Sequence, residues 1–281
     1  MPSKMKDART NFMKRTITGA VLVLVILCAV VWNIYSFVAL AVAINILCLT
    51  EFYRLLQSKT FLPQKVNGIA LSVLILIASA MAFYQQNLKF VLINIPAVFG
   101  VFVAELYRKA SHPFYNLALT FLGIFCITVP LCLLVGVALL PTGRMFYHAD
   151  IVLGCFILIW TSDTSAYLIG RSFGEHALFK RISPGKTWEG SIGAFLSVTY
   201  MAYFISCYFK SLSAGMWLIV AMIVLIAGTY GDLIKSMMKR SLGVKDSGTL
   251  LPGHGGMLDR FDSLLGSVPF ILGYLLLFYE A

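Results

Sequence analysis

Long apolar runs, broken at intervals by short polar segments, set the pattern of this chain. Nine stretches, near 17–33, 35–56, 67–85, 88–106, 115–140, 150–170, 190–209, 215–234 and 262–279, approach or exceed the length a helix needs to cross about 30 Å of hydrocarbon. The pattern therefore predicts an all-α, polytopic transmembrane protein of about nine spans. The first run follows Lys4, Lys6, Arg9, Lys14 and Arg15, a basic start like that of a signal peptide. No small-residue cleavage site stands out after Val31, so the run is read as a retained helix, with residues 10–16 lying along the headgroups before it.

Composition agrees. The chain is 59% hydrophobic and 12% charged, whereas soluble domains carry about 25% charged residues. Lipid must be the solvent for most of its surface. The net charge of +10 would suit nucleic acid, but its distribution points to membrane topology and to anionic phosphates instead. With the N-terminus in the cytoplasm and nine spans threaded, every basic residue except Lys89, Arg144 and Lys210 falls on the cytoplasmic side. The C-terminus then lies outside. Cys28, Cys48, Cys126, Cys132, Cys155 and Cys207 all sit in apolar runs without a CxxC pair, and are read as packing residues.

No internal repeat or low-complexity linker is present. Residues 1–145 read as an apolar transmembrane scaffold, and residues 146–281 as a catalytic transmembrane region with cytoplasmic loops. Four polar clusters fall in this second half.

The first, Trp160 to Tyr167, puts Asp163 inside an apolar helix; a carboxylate there is costly and is usually paired or functional. The second, Ser183 to Gly190, contains Gly-Lys-Thr. It is not a P-loop, because residue 180 is Lys where Gly is needed and no strand is expected before it. Ser183 or Thr187 suits a helix cap, and Lys186 beside that helix start suits an anion. In the third, Asp232, Ser236 and Lys239 stack at near-helical spacing, so a carboxylate and a hydroxyl can face one divalent ion. The fourth runs from Lys245 to Asp262. Gly253, Gly255 and Gly256 free the backbone for an anion cradle. Asp259 and Asp262 share a side where the last helix starts, while Arg260 points away from the pair and could fork onto a phosphate or brace a carboxylate. Hard cations such as Mg²⁺ take carboxylate oxygens and leave positions for water and phosphate. Of the 12 acidic residues, Asp163, Glu189, Asp232, Asp246, Asp259 and Asp262 lie in these clusters.

From Ser236 to Asp262 the chain reads S-x-M-K-R-x4-K-D-x-G-x2-L-P-x-H-G-G-M-x-D-R-F-D. This resembles the signature of the phosphatidate cytidylyltransferases, or CDP-diacylglycerol synthases. The W-T-S-D-T-S-A-Y and S-P-G-K-T-W-E-G segments resemble further blocks of that family, in the same order. The family often has lysine where this chain has Gly185. The motifs cover about 160–262, and the N-terminal half matches in hydrophobic character and size only. The resemblance implies transfer of the cytidylyl group of CTP to phosphatidic acid, giving CDP-diacylglycerol and pyrophosphate. It also implies Mg²⁺ dependence with room for a second cation, a homodimer, and a bacterial inner membrane with the site facing the cytoplasm. By that likeness Asp232 and Asp259 are metal carboxylates, with Asp262 a further ligand and Asp246 a support.

The catalytic set expected is Asp232, Asp246, Asp259, Lys239 and Arg260. Ser183, Lys186, Thr187, Glu189, Ser236, Arg240, Lys245, His254, Gly255, Gly256 and Asp163 are expected to face substrate. A phosphate nucleophile is already ionised near neutral pH, so a site poor in histidine suits the reaction. A membrane transporter, a lipid kinase and a CDP-alcohol phosphotransferase are the competing readings. A transporter should carry broken helices and polar residues in both halves, and the Asp-Gly-x2-Ala-Arg pattern of the phosphotransferases is absent.

Overall fold

A computed structural model of the chain describes residues 2–58, 60–140, 147–248, 250 and 255–279, with side chains from Thr16 onward. Helices dominate it: α1 (Pro2–Trp32), α2 (Ile34–Leu56), α3 (Lys65–Tyr84), α4 (Asn94–Arg108), α5 (Pro113–Gly123), α6 (Val129–Ala138), α7 (Ala149–Phe173), α8 (Trp188–Tyr208), α9 (Ala214–Ile223), α10 (Thr229–Ser241) and α11 (Asp262–Phe278). Helix is what an apolar chain must form in lipid, where each backbone N–H and C=O has to be satisfied internally.

Seven helical stretches are long and apolar enough to cross a membrane: Ile34–Leu56, Lys65–Tyr84, Leu88–Arg108, Pro113–Ala138, Ala149–Phe173, Trp188–Tyr208 and Ala214–Ser241. They make the chain a helical membrane protein. Thr16–Trp32 and Asp262–Phe278 are shorter apolar helices where the first and ninth predicted spans fall.

Two of the long stretches are single rods with a wide turn inside. Ile124–Thr128 joins α5 to α6, and Val224–Gly228 joins α9 to α10, each with one turn of π-helix. Pro130, near the start of α6, has no N–H to give back up the helix, so a loosened turn just before it costs little. The first wide turn is pinned from the side. Thr128 donates to Asn45 Oδ1 at 2.9 Å, and Asn45 Nδ2 donates to Ser72 Oγ at 2.8 Å. All three side chains are buried, so each needs these partners.

One apolar core runs through both halves of the chain, from Val30, Leu49 and Tyr53 through Leu131 and Leu158 to Trp217 and Leu272. Trp217 is fully buried against α7, where Gly154 leaves the room its ring needs. All six cysteines are free thiols; Cys48, Cys132 and Cys155 pack in the core, but Cys28 and Cys207 are exposed, against the expectation that all six are packing residues.

One short hairpin interrupts the otherwise helical fold. Between α7 and α8 lies an antiparallel hairpin of β1 (Ala177–Phe179) and β2 (Ser183–Thr187), with Ala177 opposite Thr187 and Phe179 opposite Ser183. A short strand therefore does precede the Gly-Lys-Thr segment. That segment is itself extended and paired to the strand, so the phosphate-cradling loop of a P-loop still does not form.

Helices α10 and α11 meet through glycine. A Cβ on Gly231 would stand 2.8 Å from the Gly266 Cα and 3.0 Å from the Asp262 carbonyl oxygen. Gly231→Ala should therefore push the two helices apart, lowering thermal stability in detergent by about 1–3 kcal/mol and separating Asp232 from Asp262. An unchanged melting midpoint in a scanning measurement would refute this close packing.

Candidate active site

The four polar clusters converge on one cleft of about 390 Å³. Helix α7 brings Asp163, the hairpin brings Lys186 and Thr187, α10 brings Asp232 and Lys239, and the segment before α11 brings Asp246, Asp259, Arg260 and Asp262. Separate helix ends thus hold the two aspartates, Asp232 and Asp259, on the walls of a common cavity.

Local structure explains each placement. Thr187 ends β2 and caps α8, its hydroxyl accepting from Gly190 N–H at 3.2 Å. That cap fixes the end of the strand that carries Lys186, whose Nζ meets Asp232 Oδ2 at 2.7 Å. One turn along α10, Ser236 donates to Asp232 Oδ1 at 3.3 Å. A further turn on, Lys239 Nζ reaches Asp259 Oδ1 at 2.6 Å. Asp259 Oδ2 accepts from Ser247 N–H at 2.8 Å. Burial alone would raise the Asp259 carboxyl, but the Lys239 ammonium and the Ser247 N–H outweigh it and hold the group below the usual carboxylate range. Asp262 Oδ1 accepts from Ser263 N–H at 2.8 Å, and Asp232 and Asp262 both line the cleft. Ser263 in turn donates to Asp163 Oδ1 at 3.4 Å.

Arg260 does not turn away from its neighbours. Leu258–Arg260 is a single 3-10 turn rather than regular helix, and Asp259, Arg260 and Asp262 all line the cleft. Several predicted residues stand outside its lining. Glu189 accepts from His176 Nδ1 at 2.6 Å and from the N–H groups of Glu175 and His176, so it braces the hairpin. Arg240 donates to the carbonyls of Ile182 and Val244 and ties hairpin to loop. Lys245 is exposed, and Ser183 lies within β2. Gly255 adopts φ +83°, in the left-handed region that favours glycine. Gly256 lies against Ser247 and Glu51, where a side chain would collide with both. His254 lies outside the described residues.

Sequence reasoning missed Glu51. It sits on α2, is 3% exposed, and accepts from Met257 N–H and Leu258 N–H at 2.9 Å each and from Ser247 Oγ at 3.2 Å. It tethers both ends of the loop that presents Asp259. The signal was present, since an acid inside an apolar run is unusual. Its position near the end of the run let it pass as a residue reaching for water.

On its other side the cleft adjoins an apolar groove of about 430 Å³ between α1 and α7. Leu22, Val23, Ile26, Phe156, Ile159 and Trp160 line the groove, and it shares Asp163, Asp259, Arg260 and Asp262 with the polar cleft. A charged cavity whose walls are shared with an apolar groove suits an amphiphile with a phosphate head.

Comparison with known proteins agrees with this geometry. Residues 13–278 match the model of the cytidylyltransferase family. A phosphatidate cytidylyltransferase of Haemophilus influenzae is 33% identical over 278 residues, covering 92% of this chain and 96% of that protein. Phosphatidate cytidylyltransferases of Staphylococcus haemolyticus and Staphylococcus aureus are 41% and 40% identical over 146 residues, which is 49% of this chain and 56% of each of theirs. With the match running through nearly the whole length and through every element that builds the cleft, this chain belongs to the cytidylyltransferase family.

Proposed function

We propose that the chain transfers the cytidylyl group of CTP to phosphatidic acid, giving CDP-diacylglycerol and pyrophosphate. Family membership supports this reading. The observation that carries it is the junction of polar cleft and apolar groove through Asp163, Asp259, Arg260 and Asp262. A water-soluble triphosphate fits the cleft, and the acyl chains of a lipid fit the groove.

In the proposed reaction a phosphate oxygen of phosphatidic acid attacks the α-phosphorus of CTP. The bond from that phosphorus to the bridging oxygen of the β-phosphate breaks, and pyrophosphate leaves with the electron pair. The nucleophile is already an anion, so no general base is needed. The obstacle is the approach of two anions, which fixed cations reduce by charge neutralisation and positioning. Lys186 and Lys239 are held at the wall by Asp232 and Asp259, and Arg260 stands at the border between cleft and groove. These three side chains would bind the phosphates of nucleotide and lipid.

The donor set suits magnesium. Three carboxyl groups on one cleft, Asp232, Asp259 and Asp262, offer the all-oxygen environment a hard cation takes. Among the described residues no three acidic, histidine or cysteine side chains form a tight metal cage. Magnesium is generally held by one or two carboxylates together with substrate phosphates. When bound it would supply neutralisation of the triphosphate charge. The same reading places nine spans in a bacterial inner membrane, with the N-terminus and the cleft on the cytoplasmic side, and a homodimer as the working form.

The test is direct. Purified protein incubated with radiolabelled CTP, phosphatidic acid and Mg²⁺ should yield a lipid-soluble nucleotide and pyrophosphate in equal amounts. ATP in place of CTP should yield no phosphorylated lipid. Label transferred from ATP, or no liponucleotide from CTP, would refute the reading.

A further inference from the structure

The cleft has flanks of different chemistry. Asp163, Asp259, Arg260 and Asp262 are shared with the apolar groove, while Lys186 and Lys239 pair with Asp232 and Asp259. Apart from Asp246, every charged residue of the lining belongs to one of these two sets. The flank built by the C-terminal part of α7, strand β2 and the start of α8 differs. Around Lys186 its lining is uncharged: Ala166, Tyr167, Gly185, Thr187, Gly190 and Ser191. Most of these are small, and a Cβ on Gly185 would meet no atom within 4 Å, so the space there is open.

Tyr167 is the one aromatic side chain among the described residues that line the cleft, and it is 61% exposed. Exposed side chains generally exchange rotamers freely, but this ring is held. Arg171, one turn further along α7, donates to the Tyr167 hydroxyl oxygen at 3.1 Å. The backbone beneath the ring is fixed as well. A Cβ on Gly190 would stand 2.7 Å from the Ala166 carbonyl oxygen and 3.1 Å from Thr187 Oγ1, so α7 meets the start of α8 there with no side chain between them. An anchored ring thus stands on an uncharged wall of a cleft whose other walls are charged.

We propose that Tyr167 is the platform on which the nucleobase of the triphosphate stacks, with Arg171 holding the ring in place. The assignment rests on the cytidylyl-transfer reading above and gives the cleft a direction. The nucleoside lies on the flank of α7 and the hairpin, the triphosphate across Lys186 and Lys239, and the lipid at the groove. Of the two substrates, the nucleotide alone carries a flat, uncharged ring, and an aromatic side chain binds such a ring by its face. Every base has a face to stack, so Tyr167 supplies affinity for a nucleoside rather than choice among bases.

The experiment is a calorimetric titration of the detergent-purified full chain with CTP and, separately, with inorganic tripolyphosphate, both with Mg²⁺. Tyr167→Ala removes the ring, Tyr167→Leu keeps apolar bulk without a flat face, and Tyr167→Phe keeps the ring and loses only the bond from Arg171. Tyr167→Ala and Tyr167→Leu should each bind CTP about tenfold more weakly than the unsubstituted chain, with the affinity for tripolyphosphate unchanged. Tyr167→Phe should stay within about threefold for both ligands, the worth of one exposed hydrogen bond. CTP affinity unchanged in Tyr167→Ala, restored by Tyr167→Leu, or reduced by the same factor as that for tripolyphosphate would overturn the proposal. Absence of CTP binding by the unsubstituted chain would overturn it too. A failed cytidylyl assay alongside the expected titrations would instead overturn the reaction and leave the stacking platform standing.

Discussion

Asp259→Asn should slow liponucleotide formation by on the order of 10³-fold or more, about 4 kcal/mol in transition-state free energy, while the protein still inserts and melts near its usual temperature. The two effects separate because the substitution keeps shape but loses charge. An asparagine oxygen can still accept from Ser247 N–H, now at 2.8 Å from Asp259 Oδ2, so the loop keeps its anchor. What disappears is the anion that draws Lys239 to 2.6 Å and that would share a cation with the triphosphate. Turnover near the normal rate, measured with radiolabelled CTP, would remove Asp259 from the chemistry altogether.

The second large effect falls on a residue far from the signature in sequence. Glu51→Ala should cost roughly 3–5 kcal/mol of stability, since two buried backbone N–H groups and one hydroxyl lose their acceptor at about 1–3 kcal/mol each and a void opens beside Gly256. Activity should fall with it, by on the order of 10²-fold, because the loop that aims Asp259 is no longer fixed and small misplacements are costly. Glu51→Gln keeps one oxygen and should lie between the two. The readout is a thermal melt in detergent paired with the same activity assay. If Glu51→Ala loses activity without any drop in melting temperature, the tether is not what Glu51 provides.

These residues also show what the sequence made legible. Asp163, Asp232 and Asp259 stand out because an acid in or beside an apolar run violates its background, and their spacing places them near helix ends. Their meeting in one cleft depends on how α7, α10 and α11 pack, which a local pattern does not encode. Glu51 broke the same background, but a carboxylate near the end of a span has an innocent explanation in the headgroup region. Glu189 and Arg240 carry the charges that phosphate chemistry asks for, yet their partners are the hairpin backbone and His176. In sequence, a charge that binds substrate and a charge that braces a turn look alike. The hairpin gives no signal of its own, since Ser-Pro-Gly-Lys-Thr shows no alternation and is extended only because Ala177 and its neighbours pair with it.

The wide turn at Val224–Gly228 has a consequence for the geometry of the site. A regular helix advances about 100° per residue, and a turn closed by one extra residue resets that phase. Helices α9 and α10 are therefore one rod in length but two in azimuth. The exposed apolar stripe nonetheless runs on through the turn, from Ile219 through Ile226 and Tyr230 to Ile234, while Asp232 and Lys239 stand on the cleft side of α10. One membrane crossing can in this way satisfy oil along its apolar stretch and charge at its end, without twisting either helix.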